Sequence, residues 1–147
     1  MTAIRIRDAA PPDAEALAAL AGQLGYPSGA AEVGSRLAFM AAHPALHAVY
    51  VAEDAQGAVA GWVHVFVSAH VESDPFAEIG GLVVDEQQRG AGVGEALVRR
   101  AEAWARARGL VHLRVRSNVT RERAHRFYER HGFVRHKEQV VLQKEVG

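Results

Sequence analysis

The sequence predicts a mixed α/β fold in which one sheet carries helices on both faces. Two observations lead to this fold class. Segments of alternating apolar residues, typical of strands, are interspersed with segments whose apolar residues recur at helical spacing. Their order along the chain is one strand, two helices, three strands, a helix, a strand, a helix and a final strand pair, without repeat or linker, and this order implies a mixed sheet.

Composition places the chain among ordinary folded proteins. Its 147 residues suffice for one hydrophobic core, so we expect a single domain over residues 1–147. The 17 Lys and Arg residues balance 17 Asp and Glu residues, which argues against a nucleic-acid partner. The chain has no cysteine, which excludes disulfides, thiolate metal sites and a cysteine nucleophile.

The sequence also bears on location. No apolar run approaches the ~20 residues that span a bilayer, and Met1–Asp8 lacks the apolar core of a secretory signal. We therefore expect a cytoplasmic protein with no membrane partner.

Two helices are predicted after a short first strand around Ile4 and Ile6. The first helix stops near Gly25. The second is predicted to be capped by Ser28 and to end before Pro44, because proline disfavours a helical conformation in the preceding residue. Its buried stripe is predicted to be Val33, Leu37, Met40 and Ala41.

The rest of the chain is predicted to alternate strands and helices. Ala48–Ala52 and Val59–Val71 are predicted to form an antiparallel hairpin. A polar loop over Glu72–Pro75 then leads into a strand over Ala77–Val84. The remaining predicted elements are a helix closed by Gly109, a strand over Val111–Val115, a helix that follows Thr120 and is closed by Gly132, and a strand pair over Phe133–Val146.

A glycine-rich turn joins the strand ending at Val84 to the next helix. Glycines let the backbone approach a ligand, and the unpaired N–H groups at a helix N-terminus favour an anionic phosphate, so the turn predicts a pyrophosphate site. The dinucleotide fingerprint lacks its third glycine here, and a P-loop would need Lys and Ser or Thr after the last glycine. A flexible loop is the alternative. The turn consists of Arg89, Gly90, Ala91, Gly92, Val93 and Gly94.

The spacing Arg89-x-x-Gly92-x-Gly94 resembles the Gln/Arg-x-x-Gly-x-Gly/Ala signature of the GNAT superfamily of N-acetyltransferases. The resemblance implies a mostly antiparallel sheet of six to seven strands and acetyl-CoA as co-substrate. No metal is expected, because the eight histidines form no metal-type cluster in the sequence. The resemblance is strong over residues 78–133 and covers the rest by element order. A second segment resembles the A-x-x-F-Y-x-x-x-G-F element of that family through Ala124, Phe127, Tyr128, Gly132 and Phe133.

The resemblance implies cofactor contacts in the turn and in the strand before it. Backbone amides of the six turn residues would hold the pyrophosphate. A bulge in the strand would present backbone groups to the pantetheine arm and the acetyl carbonyl. The strand residues concerned are Leu82, Val83 and Val84.

Further cofactor contacts are implied near the last helix. Asn118 resembles the family asparagine that hydrogen-bonds the pantetheine, although asparagine also occurs in such loops for turn chemistry alone. Arg121, Arg123 and Arg126 would face the cofactor phosphates, unless this basic helical face is only solvated.

Tyr128 and Glu78 are the candidate catalytic residues. Tyr128 matches the family tyrosine that donates a proton to the departing thiolate, and the reference pKa values of ~10 for tyrosine and ~8.5 for a thiol make this transfer feasible. The alternative is a core aromatic residue paired with Phe127.

Glu78 lies eleven residues before Arg89, where some family members carry a glutamate that deprotonates the amine. Alternation places it with Gly80 and Leu82, which would leave room beside it. The alternative is a solvent-exposed charge at a strand edge. His64 and His70 are the second-choice bases or substrate contacts.

The expected reaction is direct attack of a primary amine on the thioester in a ternary complex, without an acyl-enzyme. The acceptor stays open between a small molecule and a peptide amine, although Glu72, Asp74 and Glu78 favour a cationic one. Alternatives are a non-catalytic acyl-CoA sensor and a dimeric interaction module, in which the strand Val59–Val71 of a homodimer pairs with its partner.

Overall fold

The computed structural model describes residues 3–147, which form two compact units. The first unit ends at Val115 and holds a five-stranded sheet with three helices. The second unit comprises Arg116–Gly147 and holds one helix. Within residues 3–147, no helix has the length and hydropathy needed to cross a membrane.

The observed elements follow the predicted order through the last helix. The strands are β1 (Arg5–Asp8), β2 (His47–Glu53), β3 (Val59–His70), β4 (Ser73–Val84) and β5 (Leu113–Val115). The helices are α1 (Ala14–Gln23), α2 (Ala30–Ala41), α3 (Val93–Ala107) and α4 (Glu122–Arg130).

The sheet has the order β1-β2-β3-β4-β5. Its first three pairings are antiparallel and the last, between β4 and β5, is parallel, so the mostly antiparallel character is confirmed. The hairpin between β3 and β4 is tighter than predicted, since β4 begins at Ser73, which pairs with His70. Pro75 is accommodated because the ladder is irregular between Ser68 and His70.

The predicted strand pair over Phe133–Val146 is wrong, and the described sheet therefore has five strands where six to seven were expected. Residues 133–147 contain no strand, and the side chains of Val140, Val141 and Leu142 are 82%, 83% and 88% exposed. Apolar and β-branched residues favour a strand only when a neighbouring strand and a packed face are present. Sequence alternation alone could not supply that partner.

Helices pack on both faces of the sheet, as predicted. On one face α3 covers β2 and β3: the guanidinium of Arg100 lies 4.8 Å from the ring centroid of Tyr50. A Cβ on Gly61 would lie 3.1 Å from Val93 Cγ1. The other face carries α1 and α2, which meet it through the Arg7 ion pair to Asp13 and the ring of Phe39 beside that of His47.

The start of α2 differs from the prediction. Ser28 is not its cap; Gly29 is, and its N–H donates to Glu32 Oε1 at 2.9 Å. The glutamate three residues into the helix thus satisfies the N-terminal donor, while Ser28 Oγ accepts a hydrogen bond from Arg36. The predicted stripe is half-buried at Val33, Leu37 and Met40 and exposed at Ala41.

Candidate active site

The glycine-rich turn leaves the sheet after Val84 and ends in the first turn of α3. Asp85 anchors it, because its N–H donates to Ala60 O at 2.8 Å and its carboxylate accepts from Gln87 N at 3.1 Å. Gly90 and Gly92 have φ angles of 88° and 82°, in the left-handed region that favours glycine. Gly92 is the N-cap of α3, and no side chain caps this helix.

This arrangement leaves the first N–H groups of α3 without intrahelical partners, as at every helix start. Gly90, Ala91 and Gly92 are exposed, whereas Val93 and Gly94 are buried beneath them. The uncapped donors and the positive end of the helix dipole therefore form a surface suited to an anionic group such as a pyrophosphate.

A bulge interrupts β4 beside the turn, as predicted. His64 of β3 pairs with Gly81, and the next residue, Val65, pairs with Ile79, so Gly80 is the extra residue. The ladder between β4 and β5 covers only Ala77–Ile79, while β4 continues to Val84. The stretch of β4 that holds Leu82, Val83 and Val84 therefore runs beyond its parallel neighbour.

Glu78 lies on β4 opposite Phe66 of β3 and Arg114 of β5. It is 8% exposed, so it is not a solvent-exposed charge at a strand edge. The predicted alternation fails beyond Gly80, because the bulge turns Leu82 to the face of Val63, opposite to that of Glu78.

The space beside Glu78 is filled by aromatic rings. A Cβ on Gly80 would lie 2.5 Å from His64 Nδ1 and 3.2 Å from Phe66 Cε1. The lack of a side chain at Gly80 thus accommodates the rings of His64 and Phe66, which extend from β3 across β4.

His64 belongs to a cluster of stacked rings on this face. Its Nε2 lies 3.0 Å from His47 Nδ1, and the two rings stack with centroids 5.3 Å apart. His64 also stacks on Phe66 at 5.3 Å. Burial, and secondarily the charge of His47, lowers the pKa of His64 to about 4, while burial and the charge of His43 lower the pKa of His47.

His70 is separate from this cluster. It lies six residues further along β3, on the order of 20 Å away. There its Nε2 contacts Ser68 Oγ at 2.8 Å and its ring stacks on Phe76. Of the two histidines proposed as second-choice bases, only His64 lies beside the bulge.

Sequence reasoning missed Trp62, which is on the same sheet face as His64. A Cβ on Gly81 would lie 2.8 Å from its ring, and the described residues offer its buried Nε1 no hydrogen-bond partner. The adjacent glycines at positions 80 and 81 were the available signal, since side chains from a neighbouring strand occupy their place.

In the second unit, Asn118 organises the start of α4. Its Oδ1 accepts hydrogen bonds from Thr120 N at 3.0 Å and Thr120 Oγ1 at 2.8 Å. Its backbone oxygen accepts from Arg121 N at 3.0 Å. The side chain therefore has the turn role considered as the alternative, and its amide NH2 is the part left for a ligand to contact.

Tyr128 lies on α4 between two aromatic rings. It makes edge contacts with Phe127 and Phe133, whose ring centroids lie 5.2 and 5.3 Å away. Burial raises the pKa of Tyr128 to about 12, and the positive charge of Arg121 opposes that rise. The hydroxyl is therefore a neutral hydrogen-bond donor at physiological pH.

The predicted site residues thus fall into two sets. The first unit contains the turn, the bulged end of β4 and Glu78, and the second contains Asn118, Arg121 and Tyr128. Over residues 3–147, no group of three His, Asp or Glu side chains is placed to hold a metal ion.

A family model described as the acetyltransferase (GNAT) family matches residues 14–133. No curated protein sequence gave a significant match. Several solved structures are similar. An aminoglycoside antibiotic 6'-N-acetyltransferase from Acinetobacter baumannii has a TM-score of 0.85 and 16% identity, with 99% of this chain and 100% of that chain covered.

Two further structures resemble the chain over nearly their whole length. Glucosamine-6-phosphate N-acetyltransferase from Arabidopsis thaliana has a TM-score of 0.83 and 21% identity, with 97% and 99% of the two chains covered. An acetyltransferase from Trypanosoma brucei has a TM-score of 0.79 and 23% identity, with 97% and 100% covered. At these identities the structural likeness establishes the fold.

Proposed function

The chain belongs to the GNAT family of acetyltransferases and is an acyltransferase, and from that premise we propose that it transfers the acetyl group of acetyl-CoA to a primary amine by direct attack in a ternary complex. The observation that carries this proposal is the start of α3, which no side chain caps and which follows two glycines in the left-handed conformation, Gly90 and Gly92. The bulged strand β4 leads into this turn and extends beyond its ladder with β5. In this proposal, residues 1–147 act as one catalytic domain.

The first unit would bind the donor through its backbone. The N–H groups of the turn, Arg89 to Gly94, suit the pyrophosphate, because they carry positive partial charge and are exposed at Gly90 to Gly92. Leu82, Val83 and Val84 pair with β3 on one side, and on the other side they lie beyond the ladder with β5. That side suits an extended pantetheine arm, which would pair with it much as a strand does. In the second unit, the Asn118 amide and the Arg121 guanidinium supply further polar contacts.

Glu78 is proposed as the base that converts the acceptor ammonium to the free amine. An alkylammonium has a pKa of ~10, so an amine is mostly protonated at neutral pH and attacks only after losing a proton. Glu78 supports this role through its place on the sheet face beside the bulge, where Gly80 is exposed.

Tyr128 is proposed to act on the leaving group. With its pKa raised to about 12, against ~8.5 for a thiol, complete proton transfer to the thiolate is uphill. The hydroxyl therefore stabilises the developing thiolate as a hydrogen-bond donor. With no cysteine in the chain, the usual nucleophile for an acyl-enzyme is missing, which supports direct attack.

The acceptor is proposed to be a cationic amine. Glu72 and Asp74 are exposed at the β3–β4 hairpin and, with Glu78 further along β4, give this strand an acidic character. The structurally similar enzymes include one described as acting on aminoglycosides and one on glucosamine 6-phosphate, which makes amino sugars the first class to test.

Thermal unfolding with increasing acetyl-CoA tests the donor site, because a ligand that binds only the folded state raises the unfolding temperature with concentration. CoA release is then measured with an aminoglycoside, glucosamine 6-phosphate, a polyamine and a lysine peptide. We expect stabilisation by acetyl-CoA and release with at least one amine. Absence of stabilisation would overturn the donor assignment, and stabilisation without release would favour the acyl-CoA sensor.

Substitutions at the two catalytic candidates test the mechanism. We expect Glu78→Gln to lower kcat about 100-fold at neutral pH and Tyr128→Phe about tenfold, with stabilisation by acetyl-CoA retained. Glu102→Gln, on the exposed side of α3, and Tyr26→Phe, which is 67% exposed, are the matched controls. A pH profile unchanged by Glu78→Gln would remove Glu78 as the base.

A further inference from the structure

His47 and His64 link the bulge of β4 to a surface groove. His64 Nδ1 lies 2.5 Å from the place where a Cβ of Gly80 would be, and Gly80 is exposed. The other nitrogen of the same ring, Nε2, is 3.0 Å from His47 Nδ1. His47 lines a groove of about 480 Å³ between α2, α3 and β2.

The hydrogen bond restricts where the protons of the pair can be. A neutral imidazole has one N–H group and one lone pair, so one ring donates and the other accepts. If His64 Nε2 carries the proton, its Nδ1 lone pair faces the bulge and His47 carries its own proton on Nε2. Stacking on Phe66 and between the two histidines holds both rings in these planes.

We propose that His64 and His47 form a proton relay that carries the second proton of the acceptor amine from the bulge to solvent. This inference rests on the proposed acetyl transfer. After Glu78 has taken one proton and the amine nitrogen has bonded to the acetyl carbon, that nitrogen is again positively charged and must lose a second proton.

Only N–H bonds change in the relay. The nitrogen gives its proton to His64 Nδ1, His64 Nε2–H gives its proton to His47 Nδ1, and His47 Nε2–H gives its proton to water in the groove. One proton enters and one leaves, so both rings end neutral. Proton exchange with solvent restores the starting tautomers after product release.

A relay fits these histidines better than a lone base. Burial keeps His64 neutral at physiological pH and prevents it from holding a proton for long, so it must pass the proton on. His47 is half-buried and borders the groove. Among residues 3–147, several other ionisable groups lie near the pair or along the groove. They are His43, which precedes β2, Glu78 on the same sheet face, and Asp8, Tyr50 and Arg108 in the groove.

Two substitutions of His47 separate a relay from simple positioning. His47→Asn places an amide oxygen near the position of Nδ1, so it still accepts from His64 but cannot pass a proton on. His47→Phe removes both functions. We expect both variants to lower kcat at least about tenfold with the fastest amine of the panel, with unchanged stabilisation by acetyl-CoA. His112→Asn, an exposed histidine outside the pair, is the control.

The outcomes are distinguishable. Wild-type kcat in His47→Asn would overturn the relay and leave the acetyltransferase intact, whereas a wild-type protein that releases no CoA with any amine would overturn the proposed function. Imidazole ¹⁵N NMR of the wild type supplies a readout independent of turnover. It is expected to show His64 protonated on Nε2 at neutral pH, and protonation on Nδ1 would contradict the relay.

Discussion

Arg7 connects three elements through a single side chain. Its guanidinium donates to both carboxylate oxygens of Asp13, at 2.8 and 2.9 Å, and to Glu53 Oε2 at 2.6 Å. These contacts tie β1 to the start of α1 and to β2. The paired geometry raises the pKa of Arg7 and holds that of Asp13 below its usual range, against the opposing effect of burial.

Asp13→Asn is expected to destabilise the fold by about 2 kcal/mol at pH 7, because it leaves the Arg7 charge partly buried with one carboxylate fewer. The pKa of Asp13 is lower in the folded protein than in the unfolded chain. The contribution of Asp13 to stability is therefore present above the unfolded pKa and disappears as the pH falls through the folded pKa. Urea denaturation at pH 7 measures the loss. Glu102→Gln breaks an exposed pair with Arg106 and should cost less than about 0.5 kcal/mol; equal losses would contradict this account.

Residues with a local sequence signal could be located on their elements from the sequence, while their binding and catalytic roles stay predictions. The glycines before α3 and the glutamate a fixed distance upstream lie in one continuous segment, so counting along the chain located them. The sheet face predicted for Leu82 was wrong, because the prediction assumed regular alternation from Glu78. The position of the bulge at Gly80 is set by the pairing of β4 with β3. The contact between His47 and His64 was missed for the same reason, since it depends on the register of β2 against β3.

At the scale of elements, the turn into α3 can be tested against a matched turn. Gly92 and Gly57, in the β2–β3 turn, both have φ of 82°, and a Cβ at either position would have nothing within 4 Å. Substituting either glycine with alanine should therefore cost about 1–2 kcal/mol through backbone strain alone. Only Gly92→Ala is expected to weaken stabilisation by acetyl-CoA, measured as the shift in unfolding temperature. An equal loss in Gly57→Ala would remove the turn from the cofactor site.

Helices and strands could be predicted from the sequence where the interactions that stabilise them leave a pattern within the segment itself. The helix α3 has its own periodic stripe, in which Leu97, Ala101 and Trp104 are buried. The segment after Phe133 has apolar residues of high β-propensity but no strand in the structure, because pairing is a property of two segments. Five strands and four helices therefore followed from local patterns, and the C-terminal pair did not.

At the scale of the whole molecule, acid stability is expected to depend on His64. Burial lowers its pKa from an ordinary 6.5 to about 4, so the folded state stays unprotonated where the unfolded chain binds a proton. Above 6.5 both states are neutral at this site and it adds no pH dependence. As the pH is lowered from 6.5 to 4, the free energy of unfolding should decrease by about 3 kcal/mol in total. The lowered pKa of His47 adds to the decrease.

Urea denaturation of the wild type and of His64→Phe between pH 7.5 and pH 4.5 measures this dependence. Phenylalanine keeps an aromatic ring beside Phe66 but cannot bind a proton. The stability of the His64→Phe variant should therefore decline less steeply than that of the wild type below about pH 6.5. The comparison uses the slope, since the substitution also removes the hydrogen bond to His47 and changes stability at every pH. His112→Gln, at an exposed position, should keep the wild-type slope. Parallel curves for the wild type and His64→Phe would mean that folding does not shift the pKa of His64, and this account of acid stability would be wrong.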